Sequence, residues 1–585
     1  MSEAWIAGFP AFFAKQNDIM SKFATIDYVI FIIYFFVVAG YGYWIYKKKK
    51  GDGVSDSKDF FLAEGSLTWW AIGASLIASN ISAEQFIGMS GNGFFVGVAV
   101  AAYEWVAAIT LIIVAVWFIP VYLKNKIFTM PQFLETRYNE SVSLIMAIFW
   151  LFLYVFVNLT SILYLGAIAI DNMAGGGHFH IIIVVMAVFA LVITLGGMKV
   201  IGFTDVIQVI VLVIGGLATT YIALTLVSEH FGLGSNALAG WNKMMEAAPD
   251  HFKMMIDKPG PGASQDHINK YLMLPGFAMY FAGQWIINLN YWGCNQYITQ
   301  RALGADLKTA RTGILFAGLI KLAMPIIVML PGIAAYVIYQ NGGLQAEMAP
   351  NGNFNPDNAY SAVLGFLPTG LKGLSLAALT AAIVASLAGK ANSISTIYTL
   401  DIHKKYIDKD ANEKKLVIIG RIAILAALVV SIGLTWNDTL GIGGAGGFTF
   451  IQKYTGFISP GVFAMFFLGM FWKRTTGTAA IAGVLSGFGL SVLFNNYAPE
   501  LFGHETWLYT AFPNGKGEWE IPFHICMGWA FFFTMVLMVG LSLLGPKINP
   551  KSFELDKSMF KVAPSTLALI VITLLLVVAL YARFW

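Results

Sequence analysis

Charge is what this 585-residue chain has least of: 36 Lys and Arg and 32 Asp and Glu make up only 12% of it, about half the share found in soluble domains. In water such a surface would expose large apolar patches, so a soluble enzyme and a disordered scaffold are both excluded. Cysteine is nearly missing too. Cys294 and Cys526 lie far apart in apolar runs, which argues against a disulfide framework and a thiolate metal site. The net charge of +4 is small and scattered, so no basic face for nucleic acid is expected. The first 25 residues lack the basic head and cleavage site of a secretory signal and are expected to stay attached. No zinc-type His/Glu motif, nucleophile elbow or phosphate loop survives its context, so no enzyme is expected. The run Gly441 to Gly446 has the letters of a dinucleotide loop, but no strand precedes it, and it reads as a closely packed start of a helix. The eight histidines fall mostly in loops, as with His230, His251 and His267, where solvated roles are expected.

What the chain has is apolar length: 58% of it is hydrophobic. Windows long enough to cross a bilayer recur about fourteen times, so an all-α polytopic membrane protein is the expected fold class. The divisions are an external segment over 1–26, a peripheral first span over 27–50, spans two to six over 68–228, spans seven to eleven over 276–472 and three peripheral spans over 476–585. The second group includes an external loop at 342–372, and both that loop and 229–275 are rich in turn-forming residues. Most basic residues fall in the odd-numbered loops, among them Lys47 to Lys50, Arg301, Arg311 and Lys404. Positive charge marks the cytoplasmic side, so both termini are expected outside.

Polar residues inside these spans are costly and point to function. The second span is interrupted by Ala78-Ser79-Asn80-Ile81-Ser82-Ala83-Glu84-Gln85-Phe86, and the seventh by Asn288 through Gln296. Five segments separate the two interruptions, which suggests inverted repeats with a site beside the breaks, where unwound carbonyls supply ligands. Glu104, Asp205, Lys321, Ser386, Lys390, Gln452 and Lys453 are further polar groups in spans. A carboxylate, an ammonium and several amides beside Tyr103, Tyr291, Trp292 and Phe448 suit a neutral polyol, whose hydroxyls both donate and accept. A structural Glu104–Lys321 ion pair, and interfacial snorkelling of Asp205 and Lys453, are the competing readings.

These same residues, with Ala74 to Ala78, Tyr103-Glu104-Trp105, Tyr291-Trp292-Gly293, Leu330 to Tyr336 and Tyr454-Thr455-Gly456, resemble the solute:sodium symporter family from about Phe60 to Trp472. The resemblance implies a LeuT-type core of two inverted five-helix repeats with flanking helices. It implies a sugar site of Gln85, Glu104, Asn288, Tyr291, Lys321 and Gln452, with Trp292 supporting the inner gate and Met89, Tyr103 and Phe448 forming the outer one. Ala107 stands where this resemblance implies a serine. The implied sodium ligands are the carbonyls of Ala78, Ile81 and Ala382 and the hydroxyl of Ser386, with Asp205 on the ion's exit path. A second hydroxyl is replaced by Ala385. The expected function is sodium-coupled uptake of a galactose- or glucose-like monosaccharide across the bacterial inner membrane, with sodium as coupling ion, no other cofactor, and the lipid bilayer as surroundings. A monomer or weak dimer is expected. Symport of sialic acid, myo-inositol, a carboxylate or an amino acid on the same fold, a sodium-independent sugar carrier, and a sensor or channel are the alternatives.

Overall fold

The structure, a computed structural model, describes residues 23–48, 56–63, 66–174, 176–349, 352, 354–440, 442 and 447–585. Most of the glycine run at 441–446 therefore lies outside the described residues, as does most of the N-terminal segment over 1–26. Among the described residues, eleven helices are long and apolar enough to cross a membrane, or twelve if the pair Gln265–Phe281 and Gly283–Cys294, bent by 80°, is one span. This is fewer than the fourteen expected from apolar windows. The difference lies in two segments: Trp69–Asn80 ends after 12 residues, and Phe179–Thr194 has only 16.

The first interruption is a true break in the backbone. Ile81 is extended (φ −77°, ψ 106°) and caps Trp69–Asn80. The next helix restarts at once, because Gln85 and Ser82 cap it: the Gln85 side-chain oxygen accepts from Ser82 N at 3.0 Å and Ser82 Oγ at 3.1 Å, and Ser82 Oγ accepts from Glu84 N at 3.2 Å. A π-helical stretch, Glu84–Met89, then leads into Ser90–Val96. The chain turns at Gly97 with φ +75°, where a Cβ would sit 2.2 Å from the His251 carbonyl. Only glycine fits both the left-handed backbone and that space.

The second interruption falls at Asn295, extended at φ −103°, ψ 128°, between Gly283–Cys294 and Gln296–Leu303. Side chains bind around this break, and one of them takes up a backbone carbonyl it frees. The Tyr122 hydroxyl donates to the Gly293 carbonyl at 2.6 Å, the Gln296 side-chain oxygen accepts from Met130 N at 2.6 Å, and the Tyr154 hydroxyl binds Asn295 Oδ1. Such substitution is what allows irregular backbone at membrane depth.

Each break is followed by four more helical segments. After the first come Ala102–Ile113 continuing to Lys124, then Glu140–Met173, Phe179–Thr194 and Gly197–His230. After the second come Leu307–Gln340, Leu371–Ile407, Glu413–Trp436 and Gly447–Phe471. Leu371–Ile407 is the most enclosed of the long helices, with 89% of its most apolar window buried. It packs on Gly197–His230, on Trp69–Asn80 and on the outlying Thr25–Lys47. The two broken helices thus sit against the most buried part of the molecule, and their polar residues face inward rather than lipid.

Candidate solute and ion site

One cavity opens at the breaks and gathers all six residues expected to contact solute: Gln85, Glu104, Asn288, Tyr291, Lys321 and Gln452 line it together. Tyr103, Trp292, Phe448 and Ala107 line it too, whereas Met89, fully buried, does not. The sequence places these residues on five helical segments that are far apart in the chain. Packing of the broken helices is what brings them together.

At one end the Lys321 ammonium contacts both the Glu104 carboxylate and the Asn80 side-chain oxygen. The Asn80 amide donates in turn to the Tyr291 hydroxyl at 2.9 Å, and the Trp292 ring lies 5.5 Å from the ammonium. Lys321 and Glu104 are 1% and 3% exposed, so the pair has lost its water and each charge depends on the other. The ion-pair reading of these residues is therefore correct as geometry, and it leaves both groups on the cavity wall.

The two amides differ in what they offer. The Gln85 oxygen is held by Ser82, which leaves its NH2 group as a donor. The Asn288 NH2 donates to the Gln284 carbonyl at 2.9 Å, which leaves its oxygen as an acceptor. The space is thus lined by both donors and acceptors, with aromatic residues among them. On the opposite side Tyr103 meets Phe448 edge-on with ring centroids 5.2 Å apart. Gly88 lets Phe448 approach: a Cβ there would lie 2.4 Å from Phe448 Cβ.

The implied ion ligands cluster at the first break. Ser386 on Leu371–Ile407 donates to the Ser79 carbonyl at 2.9 Å and reaches the Ala78 carbonyl at 3.5 Å. Ala78, Ile81, Ala382 and Ser386 are all fully buried. Oxygen-only, uncharged donors fit a hard monovalent cation in kind. Three carbonyls and one hydroxyl fall short of the usual six or so, and Ala385 adds no side-chain oxygen.

Asp205 lies near the same helix, and its surroundings correct the expectation of snorkelling. It is fully buried, accepts from the Ser75 hydroxyl, and its carboxylate is 3.8 Å from Arg301. Arg301, counted in the sequence as a loop charge, is 1% exposed and also bonds Ser75, Ser79 and the Tyr297 carbonyl. Lys390 does not pair with Asp205; it lies over the Tyr297 ring at 5.0 Å and lines the cavity beside Glu84.

Four further residues belong to this region and were not singled out from sequence: Asn80, Glu84, Arg301 and His524. Asn80 and Glu84 sit inside the recognised interruption, so the signal was there. His524 Nε2 lies 3.0 Å from the Tyr103 hydroxyl, and its segment carries little resemblance to guide a reading. His524 is fully buried and His251 is 4% exposed, stacked on Tyr336 at 3.8 Å, so the expectation of solvated histidines fails for both. Lys453 is 3.7 Å from Glu520 and takes no part in the cavity.

The sequence profile of the sodium:solute symporter family matches residues 60–487. The chain belongs to that family. It is accordingly a multi-pass membrane transporter that couples solute to sodium, and not an enzyme. It is 43% identical over 582 residues to the sodium/glucose cotransporter of Vibrio parahaemolyticus, covering 97% of this chain and all of that one. It is also 32% identical to the human sodium/myo-inositol cotransporter 2, over 80% of this chain and 69% of that one. A sodium-coupled sialic acid symporter solved in a substrate-bound outward-open state superposes with a TM-score of 0.72 at 19% identity, over 90% of this chain and 99% of that one. At that identity the likeness concerns the fold, which is the LeuT type with its inverted five-helix repeats.

Proposed function

We propose that this symporter carries a galactose- or glucose-like monosaccharide inward with sodium by alternating access. The observation that carries the reading is the cavity wall: a Glu104 acceptor, a Lys321 donor, a Gln85 donor and an Asn288 acceptor surround one space with Tyr291 and Trp292 beside it. A pyranose needs that mixture, because its hydroxyls donate and accept at once while its C–H faces lie on aromatic rings. Gln452 completes the polar wall. A carboxylate-bearing solute fits less well beside Lys321, since that ammonium already faces Glu104.

Tyr291 closes the inner side of the sugar, held by Asn80 and backed by Trp292. Tyr103, Phe448 and Met89 close the outer side, with His524 fixing the Tyr103 hydroxyl. Sodium binds at the carbonyls of Ala78, Ile81 and Ala382 and the hydroxyl of Ser386, and leaves past Asp205. Because the Ala78 and Ile81 carbonyls belong to the break that also carries Asn80 and Gln85, ion binding stabilises the arrangement that receives sugar, and the coupling is reciprocal. One sodium moving through a potential of about 100 mV yields about 2.3 kcal/mol, and a tenfold gradient about 1.4 more. Together they sustain a sugar gradient of several hundredfold. The protein sits in the inner membrane with both termini outside, as a monomer or weak dimer.

Counterflow in proteoliposomes over a panel of sugars, with and without sodium, tests the reading. Galactose or glucose should exchange best and only with sodium present. Preference for myo-inositol or sialic acid would assign the same fold to another solute.

A further inference from the structure

Lys390 is a buried cation that the sugar site does not employ. It is 3% exposed, it lines the cavity, and among the described residues no hydrogen bond or ion pair within 4 Å holds its ammonium. It lies one helical turn beyond Ser386 on the same helix, about 6 Å along the axis. Helical side chains lean toward the N-terminus, so Lys390 leans back over the turn that carries Ser386. The groups that face it come from two elements: Glu84 from the first broken helix, and Tyr297 and Arg301 from the second. Arg301 is already shared between Asp205, Ser75 and Ser79. Among the described residues Glu84 is the one carboxylate left to answer Lys390, and the two sit on opposite sides of the boundary between the first broken helix and Leu371–Ile407.

We propose that Lys390 is a tethered cation that sets the symporter's sodium affinity: its charge, balanced in part by Glu84, opposes sodium at the neighbouring Ser386 site and keeps that site weak. The inference rests on the sodium reading above. Two like charges about a helical turn apart repel strongly enough, at the effective dielectric of a protein interior, to change an affinity tenfold or more. The loss of one hydroxyl at Ala385 acts in the same direction, so this chain's ion site is weakened twice, once by a missing ligand and once by a resident charge.

Sodium activation of sugar counterflow, and sodium titration of the purified protein followed by tryptophan fluorescence, test this together. Lys390→Met should raise apparent sodium affinity about tenfold or more, while Lys390→Arg should leave it near the parent value. Glu84→Gln, which removes the counter-charge, should weaken sodium binding several-fold, and combining it with Lys390→Met should restore tight binding. A parent that responds to sodium beside a Lys390→Met variant with an unchanged titration would overturn the inference and leave the sodium reading standing. If Lys390→Met does not fold, an unchanged sodium affinity in Glu84→Gln has the same force. Neither parent nor variants responding to sodium would overturn the sodium reading itself, and the inference with it.

Discussion

The cavity wall carries two buried lysines, and they are held differently. Lys321 has Glu104 and Asn80 in direct contact and a tryptophan ring beside it. Lys390 has only an aromatic ring within reach and a carboxylate further away across a helix boundary. A charge that is paired and hydrogen-bonded becomes a fixed part of a wall, and its partner is left exposed to harm if it is removed. A charge held loosely acts through its field on whatever binds nearby. The difference separates a group that shapes a solute site from one that tunes an ion site.

Breaking the Lys321 pair should have the largest effect. Lys321→Ala strands the Glu104 carboxylate in the protein interior, which typically costs about 3–5 kcal/mol. Sugar uptake should disappear and the thermal midpoint of the detergent-solubilised protein should fall clearly, with Lys321→Ala/Glu104→Gln recovering the midpoint but not the uptake. Next come two amides of the same cavity wall. Gln452→Ala and Asn288→Ala should each weaken sugar roughly tenfold, a loss of about one hydrogen bond to a solute, at unchanged expression. Normal transport by both would dissolve the site assignment.

The ion site can be strengthened rather than broken. Ala385→Ser returns a hydroxyl beside Ser386 and should raise apparent sodium affinity a few-fold, less than Lys390→Met, because one neutral ligand counts for less than one removed charge. A larger gain from Ala385→Ser than from Lys390→Met would reverse the ranking of the two causes. The smallest effect lies away from both lysines, at His251 in the segment between Gly197–His230 and Gly283–Cys294. Burial lowers its imidazole from the ordinary value to about 4. A histidine kept neutral in the folded protein contributes stability that is complete above about pH 6.5 and is lost as pH falls from there toward 4. The thermal midpoint should decline across that window, and His251→Gln should flatten the decline.

Much of the architecture was legible because bilayer physics leaves few options: long apolar runs and two polar interruptions five segments apart suffice for paired broken helices. The count of fourteen was less secure, since Trp69–Asn80 and Phe179–Thr194 are too short to register as single long spans. The six residues expected to contact solute came from residue type together with resemblance, and one cavity gathers them. Partners that arrive from distant chain segments were not legible. Arg301 reads as a loop charge until the fold turns it onto Asp205, and His524 has no local pattern that points to Tyr103. Gln85 shows a further limit, because its capping of Ser82 at the break fixes which half of its amide is free, and only geometry reveals that.

Accumulation measured in proteoliposomes under an inward sodium gradient tests the central claim most directly. The account predicts that galactose or glucose rises inside well above the external concentration with sodium outside, and only equilibrates when choline replaces it. Equal accumulation in sodium and in choline would contradict sodium-coupled sugar symport.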